Sequence, residues 1–210
     1  EIQVNYNGVD FKEIESRMNP ESIRKILERF EFSEENRIVG GLFRLEPGKR
    51  PELWLEAFEY CRKEDQTLRG IIVGGGRMES SLREWVKDSG LDMYVKIIGE
   101  TDDVGGWLSE MDIFLYTSIT EGLPNVIIEA QGFGVPVVST SVGGIPEVVN
   151  DGETGVLIDS SSGEDLGKQI IKLMAEESFS EMGEASKIEA RERFSISNMV
   201  SGTCEMYSRV

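Results

Sequence analysis

The stretch Thr117-Ser-Ile-Thr-Glu-Gly-Leu-Pro-Asn-Val-Ile-Ile-Glu129 is a polar loop that opens into a helix, and it lies between two short apolar runs. Asp112-Ile-Phe-Leu-Tyr116 precedes it and Val135-Pro-Val-Val-Ser-Thr140 follows it, which predicts a strand, loop, helix and strand unit of a parallel sheet. Pro124 suits the first helical turn, where its missing N–H costs nothing, and Asn125 can satisfy a neighbouring orphan donor. Glu121 then lies just before the helix and Glu129 about one turn inside it. The exposed N–H groups and positive dipole of a helix start favour an anion, and a carboxylate beside them accepts hydrogen bonds from hydroxyls. A phosphorylated sugar offers both.

Outward from this unit the same alternation repeats. Residues 37–43, 71–76, 95–99 and 155–158 read as further strands, making six with helices between them. The fold class expected is therefore α/β, a doubly wound six-stranded parallel sheet of Rossmann-like type. Residues 19–30 carry a cap residue, a proline at the first helical position and Ile23, Ile26, Leu27 and Phe30 at helical spacing. Residues 2–10 alternate like an edge strand running into an Asn-Gly turn, and from about Gly163 the pattern is helical only. No internal repeat or low-complexity linker divides the chain, so a single domain is expected.

A chain of 210 residues buries roughly 70% of its unfolded surface, enough for a sizeable core. The formal charge of −17, from 39 acidic against 22 basic residues, argues against a nucleic-acid binder, which presents a basic face. Cys61 and Cys204 stand far apart and the chain has no histidine, so no metal-ligand spacing is formed and a reducing setting is the plain reading. There is no apolar run long enough to span a bilayer and no signal peptide, although residue 1 looks like a cut point.

Glu121-Gly-Leu-Pro-Asn-Val-Ile-Ile-Glu129, with Ala130-Gln-Gly-Phe-Gly-Val-Pro-Val-Val138 behind it, closely resembles the donor-site signature of retaining glycosyltransferases of the GT-B fold, family-4 type. Arg44-Leu-Glu-Pro-Gly-Lys49 is similar to that family's Arg-x4-Lys pair, with Phe43 where many relatives carry Gly. Asn7-Gly-Val-Asp10 resembles the phrase that begins the second of two Rossmann-like domains in such enzymes.

The resemblance implies that residues 1–210 are the C-terminal, nucleotide-sugar-binding half of a GT-B fold. Residues 1–36 would be an entry segment, and the helices of 178–210 would cross towards a missing N-terminal acceptor domain. The implied reaction is transfer of a sugar, of hexosyl type, from a nucleotide-diphosphate sugar to a hydroxyl acceptor with retention, in polysaccharide or glycoconjugate biosynthesis. Attack would come on the face from which the leaving phosphate departs, that phosphate helping to deprotonate the acceptor.

Arg44, Lys49 and Glu121 would be catalytic. The leaving diphosphate gains charge as the glycosidic bond breaks, and fixed cations stabilise that charge most in the transition state. By the same resemblance Glu121 would accept from donor-sugar hydroxyls, and Gly122, Leu123, Pro124, Asn125 and Val126 would line the sugar and diphosphate. Glu129 would take the ribose hydroxyls, while Gly99, Glu100 and Thr101 would face the nucleobase. No metal and no cofactor beyond the donor is implied, with UDP- or GDP-linked donors favoured over ADP-linked ones. Partners would be the donor, a saccharide or lipid-linked acceptor and the missing domain, with no nucleic acid. The setting implied is cytoplasmic, with any reach to the inner face of the membrane made through the missing half. The isolated chain is expected to bind nucleotide but turn over slowly or not at all.

Other residues read more plainly. Gly74-Gly-Gly76 lacks the Gly-x-Gly-x-x-Gly spacing and suits a tight turn, and Asp102-Asp103 suits a helix start better than a metal site. Trp54, Trp85 and Trp107 read as core, and Arg50 as an ordinary surface charge. The rival readings are a GT-B sugar-nucleotide epimerase or phosphorylase-like enzyme, and a non-catalytic nucleotide-sensing or interaction domain.

Overall fold

The computed structural model describes residues 4–208, so expectations resting on residues 1–3 and 209–210 fall outside it. Its strands are β1 (Ile38–Leu42), β2 (Arg69–Val73), β3 (Val95–Gly99), β4 (Ile113–Tyr116), β5 (Val137–Thr140) and β6 (Gly155–Ile158). They form one parallel sheet in the order β3-β2-β1-β4-β5-β6. This is the doubly wound arrangement expected: the chain winds one way from β1 to β3, returns to the centre at β4 and winds the other way. The helices are α1 (Phe11–Ser16), α2 (Pro20–Arg29), α3 (Pro51–Glu64), α4 (Glu79–Asp88), α5 (Val104–Leu108), α6 (Asn125–Gly132), α7 (Gly163–Ala175), α8 (Phe179–Arg193) and α9 (Ile196–Ser208).

Helices on both faces bury the sheet, which is why β4 is apolar up to its last residue, Tyr116, and β5 is buried throughout, its polar Ser139 and Thr140 included. Trp54 and Phe58 of α3 stack at 5.6 Å and are fully buried, and Trp107 is buried too, whereas Trp85 is covered only in part. Fully burying one such side chain stabilises the fold by roughly 1.5–3 kcal/mol. Cys61, on the α3 face against α7, is pushed up to about 12 by burial and stays an inert thiol. Asn19 caps α2 by accepting from the Ser22 amide at 3.1 Å, as its sequence position predicts. Asp103 likewise caps α5 through the Gly106 amide at 2.8 Å, and so serves as a helix start.

Two local expectations are corrected. The described part of residues 2–10 is not an edge strand: Val9 makes one bridge to Ser195, and Asn5 is held by the side-chain contacts it makes to Met199 and Thr203 of α9. Contacts to α9 rather than to a neighbouring strand therefore tether this segment. Pro124 is the N-cap of α6, in extended conformation (φ −78°, ψ 102°), rather than a residue of its first turn, and no side chain caps the helix. Asn125 therefore begins the helix instead of satisfying an orphan donor.

Candidate functional site

The chain leaves β1 and β4 side by side in opposite winding directions, and in open α/β sheets that crevice at the carboxyl edge is where ligands bind. Beyond β1 the ladder continues through the Phe43 amide to the Val73 carbonyl (3.0 Å) and the Leu45 amide to Gly75 (2.9 Å). The chain then tightens into a 3₁₀ turn, Pro47–Lys49, before α3. Beyond β4 it runs through Thr117 and Ser118, both fully buried.

The two exits are stitched into one unit. Thr117 Oγ1 donates to the carbonyls of Lys49 (2.8 Å) and Arg50 (3.0 Å). Ser118 Oγ (3.0 Å) and the Ile119 amide (2.9 Å) both donate to Gly48. Arg50 completes the join, its Nε donating to the Thr117 carbonyl at 2.8 Å and its second terminal nitrogen to that of Ser118 at 3.2 Å. Arg50 is thus no ordinary surface charge. Its side chain lies along the loop that follows β4, a placement that no local sequence signal discloses.

At the centre stand Lys49, Tyr116 and Glu121. Lys49 Nζ forms an ion pair with Glu121 Oε1 and donates to Tyr116 Oη at 2.9 Å, while Tyr116 Oη donates to Glu121 Oε1 at 2.8 Å. Burial opposes the charge on Glu121, but hydrogen bonds from Lys49, Ser118 and Tyr116 and the charge of Lys49 prevail and hold its carboxyl below the usual glutamate range. Burial, followed by the bond to Glu121 and its charge, raises the Tyr116 hydroxyl, so it stays a neutral donor. Phe43 fixes the tyrosine ring edge to face at 6.0 Å, so this residue packs the site rather than loosening the turn. Lys49 spends two of its N–H groups in this cluster and lines the open cleft with the rest. Arg44 is exposed beside it, without a hydrogen-bond or ion-pair partner among the described residues.

The cleft holds about 610 Å³ and brings together Arg44, Lys49, Glu100, Thr101 and Val126 with the glycine turn Gly74-Gly75. Gly74 has φ 138°, and a Cβ there would lie 2.1 Å from the Phe43 carbonyl, so only glycine lets this turn pack against the exit of β1. Gly99 stands behind the lining, its carbonyl accepting from the Gly74 amide at 2.8 Å. Glu121, Gly122 and Leu123 face a second recess of about 330 Å³, with Asn5, Asn7 and Glu147 on its other walls. The Lys49–Glu121 pair joins the two spaces. Pro124 is buried, Asn125 is exposed at the helix start, and Glu129 is half-buried one turn beyond Val126. Glu129 has no hydrogen-bond or ion-pair partner among the described residues, and burial raises its carboxyl above the usual range.

Three contributors had been missed. Tyr116 ends β4 immediately before the loop, where a polar tip on an apolar strand was the available signal. Gly143, at φ 57°, lies so close beneath the loop that a Cβ would stand 2.0 Å from the Glu121 carbonyl, and the Gly144 amide donates to Gly122 at 2.9 Å. Arg50 is the third. Cations and an uncapped helix start around the cleft suit an anion, and carboxylates beside them suit hydroxyls. Among the described residues no three acidic, histidine or cysteine side chains converge as metal ligands.

The family model for glycosyl transferases group 1 matches residues 22–193. The Vi polysaccharide biosynthesis protein VipC/TviE of Salmonella typhi is 33% identical over 162 residues, which is 76% of this chain and 28% of that protein. N-acetyl-alpha-D-glucosaminyl L-malate synthase of Bacillus anthracis is 29% identical over 203 residues, or 96% of this chain and 52% of that one. Among solved structures, Anabaena Alr3699/HepE in complex with UDP superposes with a TM-score of 0.87 at 25% identity, over 99% of this chain and 57% of its own. The chain thus spans between 28% and 57% of the length of these relatives. Among the described residues no helix is long and apolar enough to cross a membrane.

Proposed function

This chain belongs to the glycosyl transferases group 1 family, and from that premise we propose that it is the donor-binding part of a retaining, family-4 type enzyme. The enzyme moves a hexosyl group from a nucleoside-diphosphate sugar to a hydroxyl of a saccharide or lipid-linked acceptor. The observation that carries this reading is the Lys49–Tyr116–Glu121 cluster at the switch point, with the unpaired Arg44 beside it.

In this reading Arg44 and the remaining N–H of Lys49 bind the diphosphate. Their attraction grows as the glycosidic bond breaks and negative charge gathers on the leaving oxygen, so they lower the barrier rather than merely tighten binding. Glu121, held ionised by its neighbours, accepts from hydroxyls of the donor sugar in the smaller recess. Glu129 is a half-buried carboxylate without a protein partner, and two ribose hydroxyls would supply the donors that its burial withholds. Glu100 and Thr101 line the far end of the cleft, where the base would lie.

The UDP complex of Anabaena Alr3699/HepE supports a uridine nucleotide as first choice. The role of VipC/TviE in Vi polysaccharide biosynthesis supports a place in polysaccharide biosynthesis. Acceptor recognition would fall to the further length that the relatives possess. No cofactor or metal enters the scheme.

Calorimetric titration with UDP, GDP and ADP, repeated with Glu129→Ala, tests the reading. One nucleotide is expected to bind, and the variant to lose about 1.5–3 kcal/mol, the scale of hydrogen bonds to a charged group. If none of the three binds the wild-type chain, the donor site is misassigned.

A further inference from the structure

Arg50 adopts the left-handed conformation, φ 48° and ψ 56°, and it directly precedes Pro51. That region is costly for any residue with a Cβ, and the following proline restricts the backbone further. Glu31 is the other non-glycine residue with positive φ among the described residues. Glycine would adopt this conformation freely, so the side chain here must earn its place through contacts.

Two of those contacts run to the loop after β4 and the third to the connection between β6 and α7. Besides the carbonyls of Thr117 and Ser118, the guanidinium reaches Ser161 Oγ at 2.9 Å, so each of its nitrogens donates once. Arg50 forms no ion pair among the described residues, and burial alone draws its guanidinium below its ordinary value. The charge is therefore spent on two backbone carbonyls and a hydroxyl. A fork of fixed geometry is suited to such a task, whereas a lysine would offer one compact donor group. The backbone of the same residue accepts Thr117 Oγ1 at 3.0 Å, so Arg50 grips the loop from both its side chain and its main chain. One residue earlier stands Lys49; four residues after Thr117 stands Glu121.

We propose that Arg50 is a positioning residue for the donor site: it clamps the loop after β4 to the turn after β1 and thereby sets the geometry between Lys49 and Glu121. The inference rests on the donor-site reading above. Strain in the backbone at this point is the counterpart of that alignment, as strained conformations persist where the surrounding contacts over-determine them. Arg50 acts through Lys49 and Glu121 and is not itself assigned a contact with the nucleotide.

Arg50→Gly separates this role from a merely structural one, because it relieves the backbone while removing the clamp. The chain carrying it is expected to keep its fold, by far-UV circular dichroism, but to bind UDP about fivefold more weakly, the scale of a lost hydrogen bond. In a Lys49→Ala background the same change should cost less than about twofold, since the residue it aligns is gone. Arg50→Lys keeps charge and strain yet lacks the fork, and it should also bind more weakly than wild type. If Arg50→Gly binds UDP as wild type does, or if affinity falls by the same factor with and without Lys49, the role is overturned while the donor site stands. If wild type binds none of UDP, GDP and ADP, the donor-site reading falls and this role with it.

Discussion

Strands β1 and β4 border two cavities, one at each end. At their carboxyl ends lies the cleft of about 610 Å³ with Arg44 and Lys49; at their amino ends lies one of about 700 Å³ rimmed by Glu28, Glu31, Glu34, Glu110 and Asp112. Arg24, the cation lining the latter, is already paired with Glu110 at 3.2 Å. Asp112 accepts from the Ile38 amide at 2.6 Å and so helps to start the strand pair, while burial raises its carboxyl. The larger space is thus rimmed by carboxylates with its cation already paired, whereas the smaller sets the unpaired Arg44 and the Lys49 ammonium beside Glu100 and Asp102. Strand direction rather than volume distinguishes the two, because helix starts and glycine turns converge at the carboxyl edge of a parallel sheet.

The largest effect that would sharpen this contrast is at Gly143. Gly143→Ala adds a Cβ 2.0 Å from the Glu121 carbonyl at a φ of 57°, and it should destabilise the fold by about 2–4 kcal/mol in denaturant titration. A loss under about 1 kcal/mol would mean that the loop yields easily and the carboxyl edge is not the tightly built end.

Next comes a matched pair of variants. Lys49→Ala should weaken nucleoside-diphosphate binding by about 1.5–3 kcal/mol, the range for a charged hydrogen bond. Asp112→Asn, at the opposite end of β4, should leave that affinity unchanged within about 0.5 kcal/mol, as expected of distant sites without shared partners. Equal losses in calorimetry would erase the distinction between the two cavities.

The smallest effect concerns pH. Glu129 has a raised carboxyl, so its ionisation costs stability once the pH exceeds the ordinary glutamate value, and the cost is complete above its folded value. Glu129→Gln should therefore stabilise the chain at neutral pH, by under about 1 kcal/mol, and the gain should vanish in acid. Glu121 has the opposite sign: its lowered carboxyl contributes stability above the ordinary value, and this is lost as the pH falls through the folded value. Glu121→Gln should then destabilise at neutral pH and be neutral in strong acid. Thermal melts of both variants against pH decide the matter, and curves of the same sign would contradict the assignment.

Much of this was legible in the chain itself. The strands of residues 95–99 and 155–158 match β3 and β6 to the residue, because short apolar runs between turn residues leave few alternatives. Asn19 marked the start of α2 for a local reason, its side-chain cap. Of the candidate site, Arg44, Lys49, Glu100, Thr101 and Val126 come to one cleft, while Glu121, Gly122 and Leu123 turn to the recess behind it. Local pattern could not show that division, since both groups belong to loops whose directions depend on what they pack against.

The sequence by itself determined the alternation of strands and helices, the doubly wound class and the two loops that carry charge, because periodicity and turn chemistry act over a few residues. Only the tertiary structure decided that Lys49 pairs with Glu121 beside Tyr116, that Arg50 leaves the surface to hold the neighbouring loop, and that Gly143 lies beneath Glu121. The Lys49–Glu121 pair and the Gly143 approach join residues 72 and 22 positions apart, and no short-range preference selects them. They exist because the sheet order sets β1 beside β4, and β4 beside β5, leaving their exits within hydrogen-bonding reach.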